Sequence, residues 1–264
     1  MTLISTAEHL VPLSAPVNLR DLGGITVAGG TVRAGFALRS DDLSIVTEEV
    51  AQDLVDRGLR AVVDLRSADE LDVTGRGPLG RHPGVTYHHI PFMASIGQVS
   101  TDAAADADAF DQSSFGQMYL RMYEDAAPQI VTALAVMAFA PGTVAFHCAA
   151  GQDRTGVLAA AALLTLGAGR DDIVADYART GLASAAIHER MAPVIAPLMR
   201  RFGLDLDVAA RTALRREFSP APMQVLLDTL LDRHGDPLTP LRDAGLTDGL
   251  VSRLRDRALS AQAA

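Results

Sequence analysis

One ten-residue stretch, His147-Cys148-Ala149-Ala150-Gly151-Gln152-Asp153-Arg154-Thr155-Gly156, constrains this chain more than any other. It follows Thr143-Val144-Ala145-Phe146, a compact run that reads as a buried strand and is cut off from the preceding segment by Pro141-Gly142. It leads into Thr155 to Leu166, which is rich in helix formers and ends at Gly167. The pattern therefore predicts a strand, a tight loop and a helix in immediate succession. A loop of that length at a helix N-terminus can wrap a tetrahedral oxyanion with its backbone N–H groups. Cys148, the chain's only cysteine, sits at the start of the loop, and Arg154 sits six positions on.

The rest of the first two thirds alternates strand and helix signals. Asn18 to Gly24 is turn-rich, and Thr31 to Arg33 and Phe36 to Ser40 read as short strands. Thr47 is a candidate N-cap, with Glu48 and Glu49 in the first turn, an apolar face of Val50, Leu54 and Val55, and Gly58 just past the end. Leu59 to Leu65 is the apolar run of a buried strand, and Val85 to Ile90 is another candidate. Ala94 to Ser114 is rich in Asp, Ala and Ser and reads as a solvated loop, its carboxylates lacking the glycine turn of a calcium loop. Helical patterns follow at Ser114 to Met122 and Pro128 to Phe139, and dominate from Asp171 onward. No internal repeat is present. Alternating elements followed by helices alone indicate an α/β fold with a C-terminal helical appendage.

The residue types in the loop suit phosphoryl transfer. A thiol must ionise to attack phosphorus, and three features favour the thiolate: the dipole of the following helix, the charge of Arg154 and a hydroxyl hydrogen bond from Thr155. Backbone N–H groups of Ala149, Ala150, Gly151, Gln152, Asp153 and Arg154 can bind phosphate oxygens, and the Arg154 guanidinium can take two at once. Gly151 suits a left-handed turn. The chemistry needs no metal and no cofactor, because arginine and backbone supply the positive field.

These residues resemble the Cys-x5-Arg-Ser/Thr signature of protein tyrosine phosphatases and their dual-specificity and phosphoinositide relatives. Asn18-Leu19-Arg20-Asp21-Leu22-Gly23-Gly24, Leu38-Arg39-Ser40, Asp64-Leu65-Arg66-Ser67 with Glu70, Val174-Ala175-Asp176-Tyr177 and Leu241-Arg242-Asp243-Ala244-Gly245 are similar to the atypical bacterial and fungal branch, typified by a secreted mycobacterial enzyme. The resemblance spans nearly the whole chain. It implies one phosphatase domain over residues 1–264, with a central mostly parallel sheet flanked by helices. It also implies a phosphocysteine on Cys148, phosphate held by Arg154 and Asp153 as general acid. His147 is expected to orient the loop. Asp64, at a strand end, is either a rival acid or a buttress, and Asp153 could instead brace the loop. The branch often carries lysine where this chain has Gln152, which turns the expected substrate from phosphoinositides toward phosphotyrosine proteins or small phosphate esters.

The appendage, about residues 182–235, is expected to be either a lid over the site, as the resemblance implies, or a packed layer whose Met191, Met199 and Met223 fill the core. A dual-specificity or phosphoinositide phosphatase is the alternative activity. A rhodanese-like sulfurtransferase and a non-catalytic phosphopeptide-binding module are weaker ones, disfavoured by the Arg154-Thr155-Gly156 ending and by the presence of both Cys148 and Arg154.

Bulk properties narrow the partners. The formal net charge of −9 argues against nucleic-acid and polybasic membrane binding, and all 23 basic residues are arginine. Val157 to Leu164 is too short to span a bilayer, and Met1 to Pro16 lacks a basic leader. The expected location is the cytoplasm, with leaderless export also open; the sequence does not set the oligomeric state.

Overall fold

The computed structural model describes residues 3–5, 10–93, 112–201 and 218–259. Its centre is a five-stranded sheet of β1 (Arg20–Asp21), β2 (Ala37–Ser40), β3 (Leu59–Asp64), β4 (Thr86–His89) and β5 (Thr143–His147). The spatial order is β1-β2-β5-β3-β4, and only the β1–β2 pair is antiparallel. The expected mostly parallel sheet is therefore present. The strand that leads into Cys148, β5, is its middle strand.

Side-chain alternation on β3 and β5 feeds two cores. Ala61, Val63, Val144 and Phe146 face the larger one, while Val62 and Ala145 face the smaller. Burial on both faces explains why these strands read as largely apolar runs. The smaller core is closed by α1 (Glu48–Asp56), which begins at Thr47, whose hydroxyl accepts from the Val50 N–H. The larger one contains α5 (Asp153–Leu166), almost every residue of which is buried. Around α5 stand α3 (Gln112–Asp125), α4 (Ala127–Phe139), α6 (Arg170–Ala178), α8 (Ala221–His234) and α10 (Asp248–Ala258), with the short α9 (Thr239–Asp243) against α4 and α3. Gly167 ends α5 in the left-handed conformation at φ 85°.

Two local expectations change. The turn-rich Asn18 to Gly24 segment contains the edge strand β1, its turn pinned by Asp21, which accepts from the N–H groups of Gly23 and Gly35. Of Thr31 to Arg33, only Thr31 is in a strand, a two-residue partner of Thr26–Val27, while Val32 bridges to Leu259. Gly29 and Gly30, both at positive φ, form the turn between these two short strands. The Ala94 to Ser114 loop lies almost wholly outside the described residues.

The appendage divides. Helix α8 packs on α3, and Met223, Leu226, Leu227 and Leu230 belong to the main core, so that part is a packed layer. Helix α7 (Ser184–Arg201) has a different place. Its Ile187, Met191 and Val194 form a third cluster with Val11 and Ile45, against which Ala149 and Ala150 of the cysteine loop pack. Residues 202–217, and the side chain of Met199, lie outside what is described.

Candidate active site

Parallel register aligns three strand ends. Ser40 of β2 and Asp64 of β3 both pair with His147 of β5, so the three carboxyl ends form one rim, where open parallel sheets bind ligands. Cys148 follows on that rim and is buried, at 2% exposure. The loop then runs to Gln152 and enters α5 at Asp153 with no side-chain cap.

The loop's peptide groups are turned by partners outside it. Asp42 N–H donates to the Ala149 carbonyl at 2.9 Å. Asn18 Nδ2 donates to the Ala150 and Gly151 carbonyls at 3.1 and 3.2 Å. Arg39 donates a second bond to the Gly151 carbonyl at 2.9 Å. In a planar trans peptide the carbonyl and the next N–H point opposite ways. With those carbonyls drawn outward, the N–H groups of Ala150, Gly151 and Gln152 point inward, and none has an acceptor among the described residues. The Arg154 N–H, in the first turn of α5, adds to them, because a helix start leaves such donors without partners inside the helix. Gly151 makes the turn at φ +69°, where a Cβ would lie 2.5 Å from the Ser40 carbonyl oxygen.

Arg154 closes the ring. Its two terminal nitrogens bind both carboxylate oxygens of Glu70, the NH2–Oε1 distance being 2.8 Å, and the side chain retains 13% exposure. Glu70 is held in turn: it completes a capping box with Ser67 at the start of α2 (Ala68–Thr74). Burial opposes ionisation of Glu70, but the Arg154 charge and hydrogen bonds outweigh it and hold its carboxyl below the ordinary range. Burial likewise opposes charge on Arg154, yet Glu70 and Cys148 push its pKa well above the ordinary value, so it is permanently cationic.

Beneath the loop lies a layer of buried charge. Asp176 of α6 takes both Arg39, at 2.5 Å, and Arg20, at 3.0 Å. Burial and the adjacent Arg39 bring Arg20 down to about 10. Asp41 accepts from the Asn18 N–H at 2.9 Å and from Arg190 of α7 at 2.6 Å, which ties α7 to the segment holding the loop. On the other side Arg66 bridges Asp42 and Asp64. His147 sits between those two carboxylates, Nδ1 at 3.7 Å from Asp42 and Nε2 at 3.8 Å from Asp64, and accepts from the Leu43 N–H.

The candidate side chains therefore differ in setting. Asp64 is fully buried, bound by Arg66 and Tyr87; burial raises its pKa, but His147 and Arg66 overcome this and hold it far below the carboxylate range. Asp153, at the first position of α5, is partly exposed and accepts from the Tyr119 hydroxyl. Gln152 is partly exposed at the loop's end. Thr155 Oγ1 is buried without a hydrogen-bond partner among the described residues, so its bond to sulfur is not made here.

The local sequence around Glu70, Asn18, Arg39, Asp41, Asp42, Asp176 and Arg190 does not mark them as site residues by their own chemistry. Ser67-x-x-Glu70 was readable as a capping box, while Arg190 carries no local signal at all. Among the described residues no group of three or more His, Cys, Asp or Glu could hold a metal, and no helix is long and apolar enough to cross a membrane.

Cys148 and Arg154 thus lie on one loop between the end of a parallel strand and the start of a helix, its carbonyls bonded from outside. The model of the tyrosine phosphatase family matches residues 11–260, and the chain belongs to that family. It is 29% identical over 274 residues to the triple specificity protein phosphatase PtpB of Mycobacterium tuberculosis, covering 90% of this chain and 95% of that protein. It is 31% identical over 232 residues to a Cupriavidus necator protein assigned to the tyrosine-protein phosphatases, covering 83% and 79%. A Nostoc commune tyrosine-protein phosphatase matches at 31% over 148 residues, 56% of this chain and 49% of that protein.

Two outcomes are expected. Gly151→Ala forces a side chain against the Ser40 backbone in a conformation it disfavours, turning the loop's N–H groups away from phosphate. It should lower kcat/KM on an aryl phosphate by about a hundredfold, as misplacement in a positioned site does, while circular dichroism remains that of the wild type. Acid sensitivity follows from Glu70, Asp64 and Asp176, all lowered in the folded state against burial, Glu70 and Asp176 by neighbouring arginines and Asp64 by His147 and Arg66. Their contribution is complete above the unfolded carboxylate pKa of about 4 and is lost as pH falls through the folded values. Urea midpoints should therefore be level from about pH 7 to 5 and decline below about pH 4; a flat acid limb would contradict the assignment.

Proposed function

We propose that the enzyme removes phosphate from phosphotyrosine proteins, without a metal, through a phosphocysteine on Cys148. The observation that carries this reading is the ring of inward N–H groups and Arg154 around the chain's only cysteine. The thiolate attacks phosphorus, the S–P bond forms as the ester P–O bond breaks, and Asp153 gives its proton to the departing phenolate oxygen. Water then cleaves the S–P bond while the Asp153 carboxylate takes a proton from it, releasing phosphate and restoring the thiolate. Equatorial charge is borne by the N–H groups and Arg154 throughout.

Asp153 is the acid in this reading because it is partly exposed on the loop side of α5. Asp64 is a buttress, bound into the charge layer and held far on the ionised side. His147 belongs to the same layer. Helix α7 is the roof of the site within a single domain. Gln152 and the net charge of −9 favour phosphotyrosine over highly charged inositol phosphates. The triple specificity of the Mycobacterium tuberculosis relative supports a wider specificity than phosphotyrosine as the second reading.

The test is hydrolysis of a phosphotyrosine peptide, a phosphoserine peptide and a phosphoinositide by wild type and by Cys148→Ser, with EDTA present. Wild type should prefer the phosphotyrosine peptide and keep its rate with EDTA, and Cys148→Ser should lose about a thousandfold or more. Activity that survives the substitution, or stops with EDTA alone, overturns the mechanism. A preference for phosphoinositide overturns the substrate.

A further inference from the structure

We infer that Tyr119 is a positioning residue that fixes the carboxyl of Asp153 for proton delivery, with Tyr177 fixing Tyr119 in turn. The inference rests on Asp153 as the general acid, as proposed above. Tyr119 and Tyr177 are buried, at 0% and 1% exposure, although each carries a hydroxyl. A buried tyrosine is stable only when that hydroxyl is bonded. Tyr119 donates to Asp153 Oδ1, and its oxygen lies 2.8 Å from the Tyr177 hydroxyl. A phenol has one proton to give. Tyr119 spends it on Asp153, so Tyr177 is the donor in the second bond. The direction of the chain is set: Tyr177 to Tyr119 to Asp153 Oδ1.

Asp153 Oδ1 accepts from Tyr119 and is anchored to the protein. The anchor fixes the rotation of the carboxyl, and with it the direction in which the proton leaves. Proton donors work only from a fixed position near the receiving atom. The anchor is itself rigid. The tyrosine rings meet edge to face, centroids 6.0 Å apart at 79°, and Tyr177 lies against Phe218 at 5.2 Å. Gly156 lets the Tyr177 ring approach α5, since a Cβ there would come within 3.1 Å of it. Tyr119 comes from α3, Tyr177 from α6 and Asp153 from α5, so three helices converge on one carboxyl.

Tyr119→Phe removes the bond and keeps the ring. Loss of the hydroxyl should matter only where the leaving group needs a proton. With a phosphotyrosine peptide, whose phenol is a poor leaving group, kcat/KM should fall about tenfold, a fraction of what general acids contribute. With p-nitrophenyl phosphate, whose phenolate departs without a proton, the fall should be no more than about twofold. In an Asp153→Asn background Tyr119→Phe should add nothing on the peptide. Equal losses on both substrates, or full additivity with Asp153→Asn, would overturn the inference. If Asp153→Asn itself affects both substrates equally, the reading of Asp153 as acid is what fails. Tyr177→Phe, which keeps the Tyr119–Asp153 bond but removes its support, should show the same substrate dependence at smaller size. It carries the test if Tyr119→Phe proves unfolded by urea titration.

Discussion

The structure depends on where a few carbonyl groups point. An oxyanion ring exists only if successive peptides turn their N–H groups to one side, which throws their carbonyls to the other. Buried carbonyls need donors, and this chain supplies them from Asn18, Arg39 and the Asp42 backbone. Each donor is long-range in sequence, so the loop's shape is a tertiary product. A glycine at position 151 gives the chain room to turn; the outside donors determine which way it stays turned.

Those donors bring charge with them. Arg39 and Arg20 share Asp176, Arg66 bridges Asp42 and Asp64, and Arg190 meets Asp41, all buried. Taking such ions from water is expensive, and burying a well-packed apolar cluster in their place is often at least as stable. Their value here is directional: arginine forks and carboxylates hold β1, β2, α6 and α7 at fixed positions around one loop. Glu70 extends this to the phosphate side by fixing the plane of Arg154. The same field that orients the guanidinium leaves it permanently charged, which suits a group meant to meet phosphate.

Much of this was legible in the sequence where the signal is local. Thr143 to Gly167 read as strand, loop and helix because proline-glycine, apolar run and terminal glycine lie next to one another. Thr47 and its two glutamates likewise marked a helix start. The charge layer was legible only as resemblance, since nothing near Asn18 or Asp176 tells which backbone or side chain either one will hold. Asp64 shows the limit clearly: a strand-end aspartate fits both an acid and a buttress until Arg66 and Tyr87 are seen around it. The appendage was one unit in the pattern of residues but two in space, because helical periodicity marks an apolar face without naming what covers it. Met223 faces the main core, whereas Met191 shares its cluster with Ala149 and Ala150.

The orientation of the loop amides can be read directly in solution. Amide proton shifts of Cys148→Ser, titrated with inorganic phosphate and followed by NMR, report which N–H groups bind the oxyanion. Large downfield shifts are expected at Ala150, Gly151 and Gln152, saturating together with perturbation of the Arg154 guanidinium. Binding of phosphate with those three amides unmoved would contradict the inward orientation of the loop amides.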